Sequence, residues 1–320
     1  MNNIKPKIVV LGGGTGLSVI LRGLKNHPVD ITAVVTVADD GGSTGRLREE
    51  LGIPAVGDIR NVIGSLSDLE PLLEQLFNYR FAEKEAKGLA GHSLGNLILA
   101  AMTDITGDFA HGVREMSKVL NVKGRVFPST SQYVVLNAEM EDGTIVTGES
   151  KIPKSGKKIK RVFLTPEKIH PVKRVKSAIL EADLILIGPG SLYTSILANL
   201  VTPTFKESIA RSKAKKVYIC NMMTQQGETQ GYSASDHVQA LYDHVGPECV
   251  DTILINNKEI PCELKLKYKE EEAEPVALDI EKLKKLGLNI IQEEIVTIQN
   301  GSVRHDADKI ASILIEMIQK

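Results

Sequence analysis

Three glycine-rich segments hold the residue types that could do chemistry. In the first, Val10-Leu11 runs through Gly12-Gly13-Gly14-Thr15-Gly16, four glycines in five residues, into a helical stripe of Leu17, Ile20, Leu21 and Leu24. Glycines let backbone N–H groups approach an anion, and a helix start adds partial positive charge. Thr15 is expected to cap the helix and donate to a phosphate oxygen. The spacing departs from a clean G-x-G-x-x-G, with Leu17 or Val19 at the last position, and no Gly-Lys-Ser/Thr follows. A tight strand-to-helix turn needs fewer glycines, so the segment reads as a phosphate cradle.

The second segment is Asp39-Asp40-Gly41-Gly42-Ser43-Thr44-Gly45-Arg46. Asp39 lies 25 residues after Gly14, near where a ribose-binding carboxylate is expected. Alternatively Asp39 and Asp40 hold Mg²⁺ through waters. Capping the next helix would need only one of them. Gly57-Asp58-Ile59-Arg60-Asn61 follows, with Arg60 as a candidate phosphate clamp. The third segment, Gly188-Pro189-Gly190-Ser191, follows Leu184–Ile187 and precedes Leu192, Ile196, Leu197 and Leu200. By itself it is equally well a rigid turn.

These loops need elements to hold them. Strands are expected at Ile8–Leu11, Ile31–Val37, Leu184–Ile187, Val217–Cys220 and Ile253–Ile255. Helices are expected at Leu94–Ile105, Val172–Glu181, Ser191–Leu200, Ser233–His244 and Asp306–Ile318. The alternation predicts an α/β, doubly wound, mostly parallel sheet with helices on both faces and ligands at the strands' carboxyl ends. Tyr133–Met140, the turn Glu141-Asp142-Gly143, Thr144–Thr147 and Ile159–Leu164 read as an antiparallel β flap, inserted over 125–165 into one domain of 1–320. Its tip carries Lys151, Lys154, Lys157, Lys158, Lys160 and Arg161, either a solvated hairpin or a docking patch for an acidic partner. Glu263–Glu274 reads as a mobile surface segment.

Composition narrows the classes. The 320 residues are 42% hydrophobic and 25% charged, as in ordinary globular proteins. With 39 Lys+Arg against 40 Asp+Glu, no global field draws the chain to nucleic acid or anionic membrane. Aromatics are 4% with no Trp, too few for a single-strand stacking platform. Cys220, Cys249 and Cys262 form no C-x-x-C pair and read as free thiols. With no signal core at Met1–Pro6 and no membrane-length apolar run, the expectation is a cytoplasmic chain.

Some signals are weaker. Gly91-His92-Ser93-Leu94-Gly95 matches a nucleophile elbow, but Ala82–Gly88 before it is charged and helix-like rather than a buried strand. Ser93 therefore reads as a helix start, with Asn96 as a ligand contact. His237 and His244, ~10 Å apart on one helix face, read as surface or capping residues. Tyr268 either covers a surface or stacks on a base or sugar. Arg304 either reaches an anion or is an ordinary surface residue.

The ordered motifs Gly12–Gly16, Asp39–Gly45, Gly57–Asn61, Gly91–Asn96 and Gly188–Ser195 resemble the superfamily of bacterial gluconeogenesis factors and 2-phospho-L-lactate transferases. The length is similar to the gluconeogenesis-factor branch. That resemblance implies a Rossmann-like, three-layer fold. It also implies a cleft that binds nucleotides, notably UDP-sugars, and a role in cell shape and envelope-precursor metabolism on gluconeogenic carbon. On that reading a diphosphate lies on Gly12, Gly13, Gly14, Thr15 and Gly16. Gly188, Gly190, Ser191 and Thr194 lie opposite, and Asp39, Gly41, Gly42, Ser43, Asn61, Asn96, Tyr268 and Arg304 complete the site. Expected partners are a small-molecule nucleotide, an enzyme of amino-sugar metabolism and a further copy of the chain. The transferase branch implies instead Mg²⁺ on Asp39 and Asp40, with Arg60 stabilising a transferred phosphoryl group. A dehydrogenase is the weakest alternative, although NAD could be held as a bound ligand without redox chemistry.

Overall fold

The computed structural model describes residues 5–68, 71–82 and 88–319. The charged run Glu83–Lys87 and the N-terminal Met1–Ile4 lie outside them. The chain begins β1 (Lys7–Gly12), α1 (Gly14–Leu24) and β2 (Asp30–Val35). Next come α2 (Gly42–Leu51), α3 (Gly57–Leu66), α4 (Pro71–Asn78), α5 (Leu94–Thr106), α6 (Phe109–Val119) and β3 (Arg125–Pro128). The flap strands are β4 (Val135–Met140), β5 (Ile145–Thr147) and β6 (Ile159–Thr165). The second half runs α7 (Lys173–Glu181), β7 (Leu184–Ile187), a π-helix Leu192–Leu197 continuing into α8 (Ala198–Leu200), α9 (Phe205–Arg211), β8 (Lys215–Ile219), α10 (Ala234–Val245) and β9 (Thr252–Asn256). The remainder is α11 (Cys262–Glu270), α12 (Ile280–Lys285), β10 (Asn289–Glu293), β11 (Val296–Gln299), β12 (Ser302–His305) and α13 (Ala307–Gln319).

Seven strands pair in parallel in the order β10-β9-β8-β7-β1-β2-β3. The winding reverses between β1 and β7, so both outer glycine loops emerge side by side. The central strands read as continuous apolar runs because both faces are covered by helices. Ile8, Val10, Leu11 and Leu184–Ile187 are wholly buried, and each such side chain contributes ~1.5–3 kcal/mol. Helices α1, α3 and α13 pack together in one layer, while α7 lies against α9. Among the described residues, no helix is long and apolar enough to cross a membrane, and all three cysteines are free.

The flap is narrower than expected. Arg125–Pro128 is the edge strand β3 of the main sheet, paired with β2, and the separate antiparallel sheet β5-β4-β6 begins at Val135. At its tip Lys157 pairs with Asp142, and Lys160 and Arg161 with Glu139, so part of the positive charge is met internally. The segment expected to be mobile, Glu263–Glu274, is mostly helix α11. It seats Leu264 and Tyr268 on a small apolar cluster of Ile260, Val296 and Val303, which a count of charges does not reveal. The helix expected over Ser191–Leu200 opens as a π-helix, the Ser191 carbonyl accepting from both Ser195 and Ile196.

Candidate functional site

The two outer glycine loops touch. A Cβ on Gly16 would lie 2.8 Å from the Pro189 carbonyl oxygen, and one on Gly190 would lie 3.3 Å from that of Gly13. At Gly16 a side chain cannot be fitted without displacing the opposite backbone, while at Gly190 the fit is merely tight. Gly14 has φ +68° and opens α1 from the N-cap Gly13, so the cap is a glycine; Thr15 lies in the first turn and is exposed, contrary to its expected capping role. Asn199, on α8, is fully buried and donates to the Gly12 and Val34 carbonyls at 2.9 and 2.7 Å, fixing the ends of β1 and β2.

Each helix start is already met by a carboxylate. The Gly14 N–H donates to Asp58 Oδ2 at 2.7 Å. Burial, then the nearby Asp39 charge, pushes the Asp58 carboxyl up to about 7. On the other side Glu228 accepts from the Tyr193 and Thr194 N–H groups at 3.0 and 3.3 Å and from the Thr194 hydroxyl at 2.8 Å. Burial raises Glu228 despite those three bonds. Thr194, expected as a ligand contact, has its hydroxyl committed to Glu228. Ser191 Oγ likewise accepts from the Gln225 side chain at 2.9 Å.

The Asp39–Gly45 loop lies beside this junction. Asp39 accepts from the Gly41 N–H at 2.9 Å and faces Gly57, and burial raises its carboxyl. Asp40 turns the other way and accepts from the Ser150 N–H of the flap at 2.9 Å. The pair therefore does not converge on one point. Among the described residues, no group of three or more His, Cys, Asp or Glu side chains is placed to hold a metal ion. Asp39 alone still fits Mg²⁺, which commonly takes one or two carboxylates together with substrate phosphates. Ser43 is buried, 3.0 Å from His92 Nδ1 and 3.1 Å from the Asn96 amide nitrogen that donates to it. Asn96 Oδ1 is buried without a partner, so this cluster has one unused acceptor. Ser93 caps α5 by accepting from the Asn96 N–H, which matches the helix-start reading of the apparent elbow.

Arg60 donates to Asn78 at 2.7 Å and to Asn61 at 2.6 Å, and its stem packs under Gly95. Those contacts orient the guanidinium and occupy part of its fork. Tyr268 and Arg304 do not join the glycine loops directly. The Tyr268 hydroxyl accepts from the Val303 N–H at 3.0 Å, and Arg304 is exposed on the adjacent strand β12. His305 next to it reaches the Cys220 carbonyl at the end of β8, so this cluster stands over the carboxyl ends of β8 and β9. His237 is fully buried, which corrects its reading as a surface or capping residue. His244, half-buried in the last turn of α10, bonds the Ala240 carbonyl of its own helix and accepts from the Val162 N–H of the flap.

Several residues carry the site without a sequence signal. Arg48 is buried and donates to the Ala38 and Asp39 carbonyls at 2.8 and 2.6 Å and to the Val134 carbonyl, tying the aspartate loop to the flap base. Glu149, in the flap, is pushed up to about 8 by burial and by the charges of Asp39, Glu228, Asp40 and Asp58. Asp39 abuts Gly57, the neighbour of Asp58, and Asp40 abuts Gly148, the neighbour of Glu149, so acidic side chains gather where the flap meets the aspartate loop. Ser195, turned inward by the π-helix, sits under Gly13, Gly14 and Gly190; a Cβ on Gly14 would lie 3.7 Å from its Oγ. It belonged to a recognised motif, but an α-helical stripe gave no reason to point it there.

Fold and site together define a doubly wound parallel α/β protein whose facing glycine loops meet at the point where the winding reverses, the usual ligand position in such sheets. The family follows from comparison: residues 8–296 match the model of "2-phospho-L-lactate transferase CofD", and the chain belongs to that family. It is 61% identical over 316 residues to the "Gluconeogenesis factor" of Bacillus subtilis (strain 168), covering 99% of each chain. It is 60% identical over 312 residues to the protein of that name from Halalkalibacterium halodurans, covering 98% of this chain and 96% of the other. The crystal structure of protein BH3568 from Bacillus halodurans superposes with a TM-score of 0.95 at 59% identity, covering 99% of this chain and 100% of that one.

Proposed function

We propose that this chain is a nucleotide-sugar-binding regulator, holding a UDP-sugar or similar diphosphate across the two glycine loops. The observation that carries this is the direct contact of those loops at Gly16 and Pro189, at the reversal of the sheet. Backbone N–H groups and the Ser195 hydroxyl meet the diphosphate. Asp39 faces a ribose, and Tyr268 and Arg304 flank the outer end of the ligand. The name gluconeogenesis factor, carried by its relatives, supports a role on gluconeogenic carbon. We extend this to cell shape and envelope-precursor metabolism, exerted in the cytoplasm through an enzyme of amino-sugar metabolism. Calorimetry with UDP-N-acetylglucosamine and UDP-glucose tests the ligand class: saturable binding of either is expected, and binding of neither overturns the reading. Native mass spectrometry of freshly purified protein identifies the co-purifying base.

The placement of Asp39 against Gly57, next to Asp58, favours a second reading, a Mg²⁺-dependent transferase acting on a nucleoside diphosphate donor. Mg²⁺ would neutralise phosphate charge, with Asp39 as its protein ligand. Asp58, close to neutrality and bonded at the helix start, holds a proton that a reacting hydroxyl could exchange. Incubation with guanosine or uridine diphosphate donors, Mg²⁺ and an acceptor should give product on this reading. Absence of product with both donor sets leaves the regulator.

A further inference from the structure

A second cavity lies along the β3 edge of the sheet, between α6 and α7. It is about 460 Å³, within the range of small-molecule sites, and shares no lining residue with the glycine crevice. Arg114, Lys118, Arg125 and Arg174 line it, Val126 and Phe127 form an apolar wall, and no Asp or Glu is among its lining residues. We propose that this edge cavity binds a phosphate monoester of a small polar molecule.

Three guanidiniums around one concavity match the oxygens of a phosphate dianion, because each offers a planar fork of donors. Their existing pairs leave those forks open. Arg114 uses only Nε on Glu115, at 3.1 Å, and Arg125 only Nη2 on Asp30, at 2.6 Å. Lys118 also rests on Glu115, at 2.9 Å, so one carboxylate serves two cations. Arg174 has no hydrogen-bond or ion-pair partner among the described residues. The concavity exceeds the size of a bare phosphate, and Ser117 and Asn121 add hydroxyl and amide groups for a polar ester moiety. An extended acidic peptide fits less well: β3 is an edge strand of only four residues, and its Val126 and Phe127 are buried, so it presents little strand to pair with. The Arg125–Asp30 pair joins the cavity to the first residue of β2, the strand whose far end leads to Asp39.

The test is calorimetry on the full chain at low ionic strength with a hexose 6-phosphate, the same hexose unphosphorylated, and inorganic phosphate. The hexose phosphate should bind saturably, the hexose should not, and inorganic phosphate should bind more weakly. Losing one charge-assisted contact corresponds to at least about tenfold in affinity, so Arg174→Glu and Arg114→Glu should each weaken the ester by that much or more. Both positions are at least partly exposed, and circular dichroism verifies the fold. Ser195→Asp places negative charge in the glycine crevice and should leave ester binding unchanged. Loss of ester binding in Ser195→Asp with retention in Arg174→Glu puts the ester in the crevice and overturns the proposal. Equal affinity for inorganic phosphate, or no binding of the ester by the unmodified chain, also overturns it.

Discussion

The two outer glycine loops leave neighbouring strands and enter helices, yet they are closed differently. At the first, one carboxylate oxygen of Asp58 meets one N–H at the start of an ordinary α-helix. At the second, Glu228 meets two N–H groups and a hydroxyl in the first turn of a π-helix, deep in the protein. A carboxylate with a single bond at an open helix start can yield that N–H to a phosphate. One with three bonds in a closed turn is a fixed plug. On the proposed function, ligand would exchange at the first loop, while the second would shape the crevice wall.

The largest expected effect tests whether the loops must touch. Gly16→Val puts a branched side chain against the Pro189 carbonyl, so nucleotide affinity should fall more than about 100-fold, with roughly 1–3 kcal/mol lost in stability from overpacking. Calorimetry with thermal melts reads both, and full binding would break the comparison at its base. Next, Arg48→Met leaves the Ala38, Asp39 and Val134 carbonyls without their donor; urea unfolding should record a loss of roughly 2–4 kcal/mol. Glu228→Gln keeps the size but removes an acceptor from the plug, and about 1–3 kcal/mol should go with little change in nucleotide affinity. A large affinity change there would show that the second loop exchanges ligand too.

Asp58→Asn sharpens the assignment of the first loop. Removing its negative charge should raise nucleotide affinity about 3- to 10-fold at pH 8 and hardly at all at pH 5, where the acid is already protonated. Stability moves the same way. A carboxyl whose folded value is raised to about 7, from an ordinary value near 4, stabilises the fold fully only below about pH 4. That contribution is lost as pH rises toward 7. Melts between pH 5 and pH 8 should therefore show a smaller decline in Asp58→Asn than in the unmodified chain, by roughly 1–3 kcal/mol. The smallest effect is Tyr268→Phe, which removes one hydrogen bond to the Val303 N–H and should cost ~1 kcal/mol or less.

The glycine loops and sheet were legible because their cause is local: apolar strand, glycines, then a helical stripe, read in order. The parallel pairing followed from continuous apolar runs such as Leu184–Ile187. Arg48 was not legible, because it stands in Arg46–Glu50, a run that reads as a solvated face, and its three acceptors come from 9 to 86 residues away. Glu228 and Glu149 sit in polar loops whose charges count the same wherever they point. The π-turn left no trace, since Leu192, Ile196 and Leu197 satisfy either helical period. Tyr268 was noticed as a lone aromatic, but its seat depended on a hairpin some 30 residues later.

The flap is fastened to the body of the protein at its base by Arg48 to the Val134 carbonyl, and further out by Ser150 to Asp40, Pro153 against Gly227, and Val162 to His244. Its β4–β5 turn, Glu141–Gly143, is exposed and belongs to none of them. The hairpin end is therefore a handle. A peptide tag or fluorophore inserted at Asp142-Gly143 should be tolerated, as exposed polar turns generally are, and would travel with the crevice wall as a rigid reporter. The fastened base behaves as a keystone, where even a one-residue insertion would be felt at Asp39.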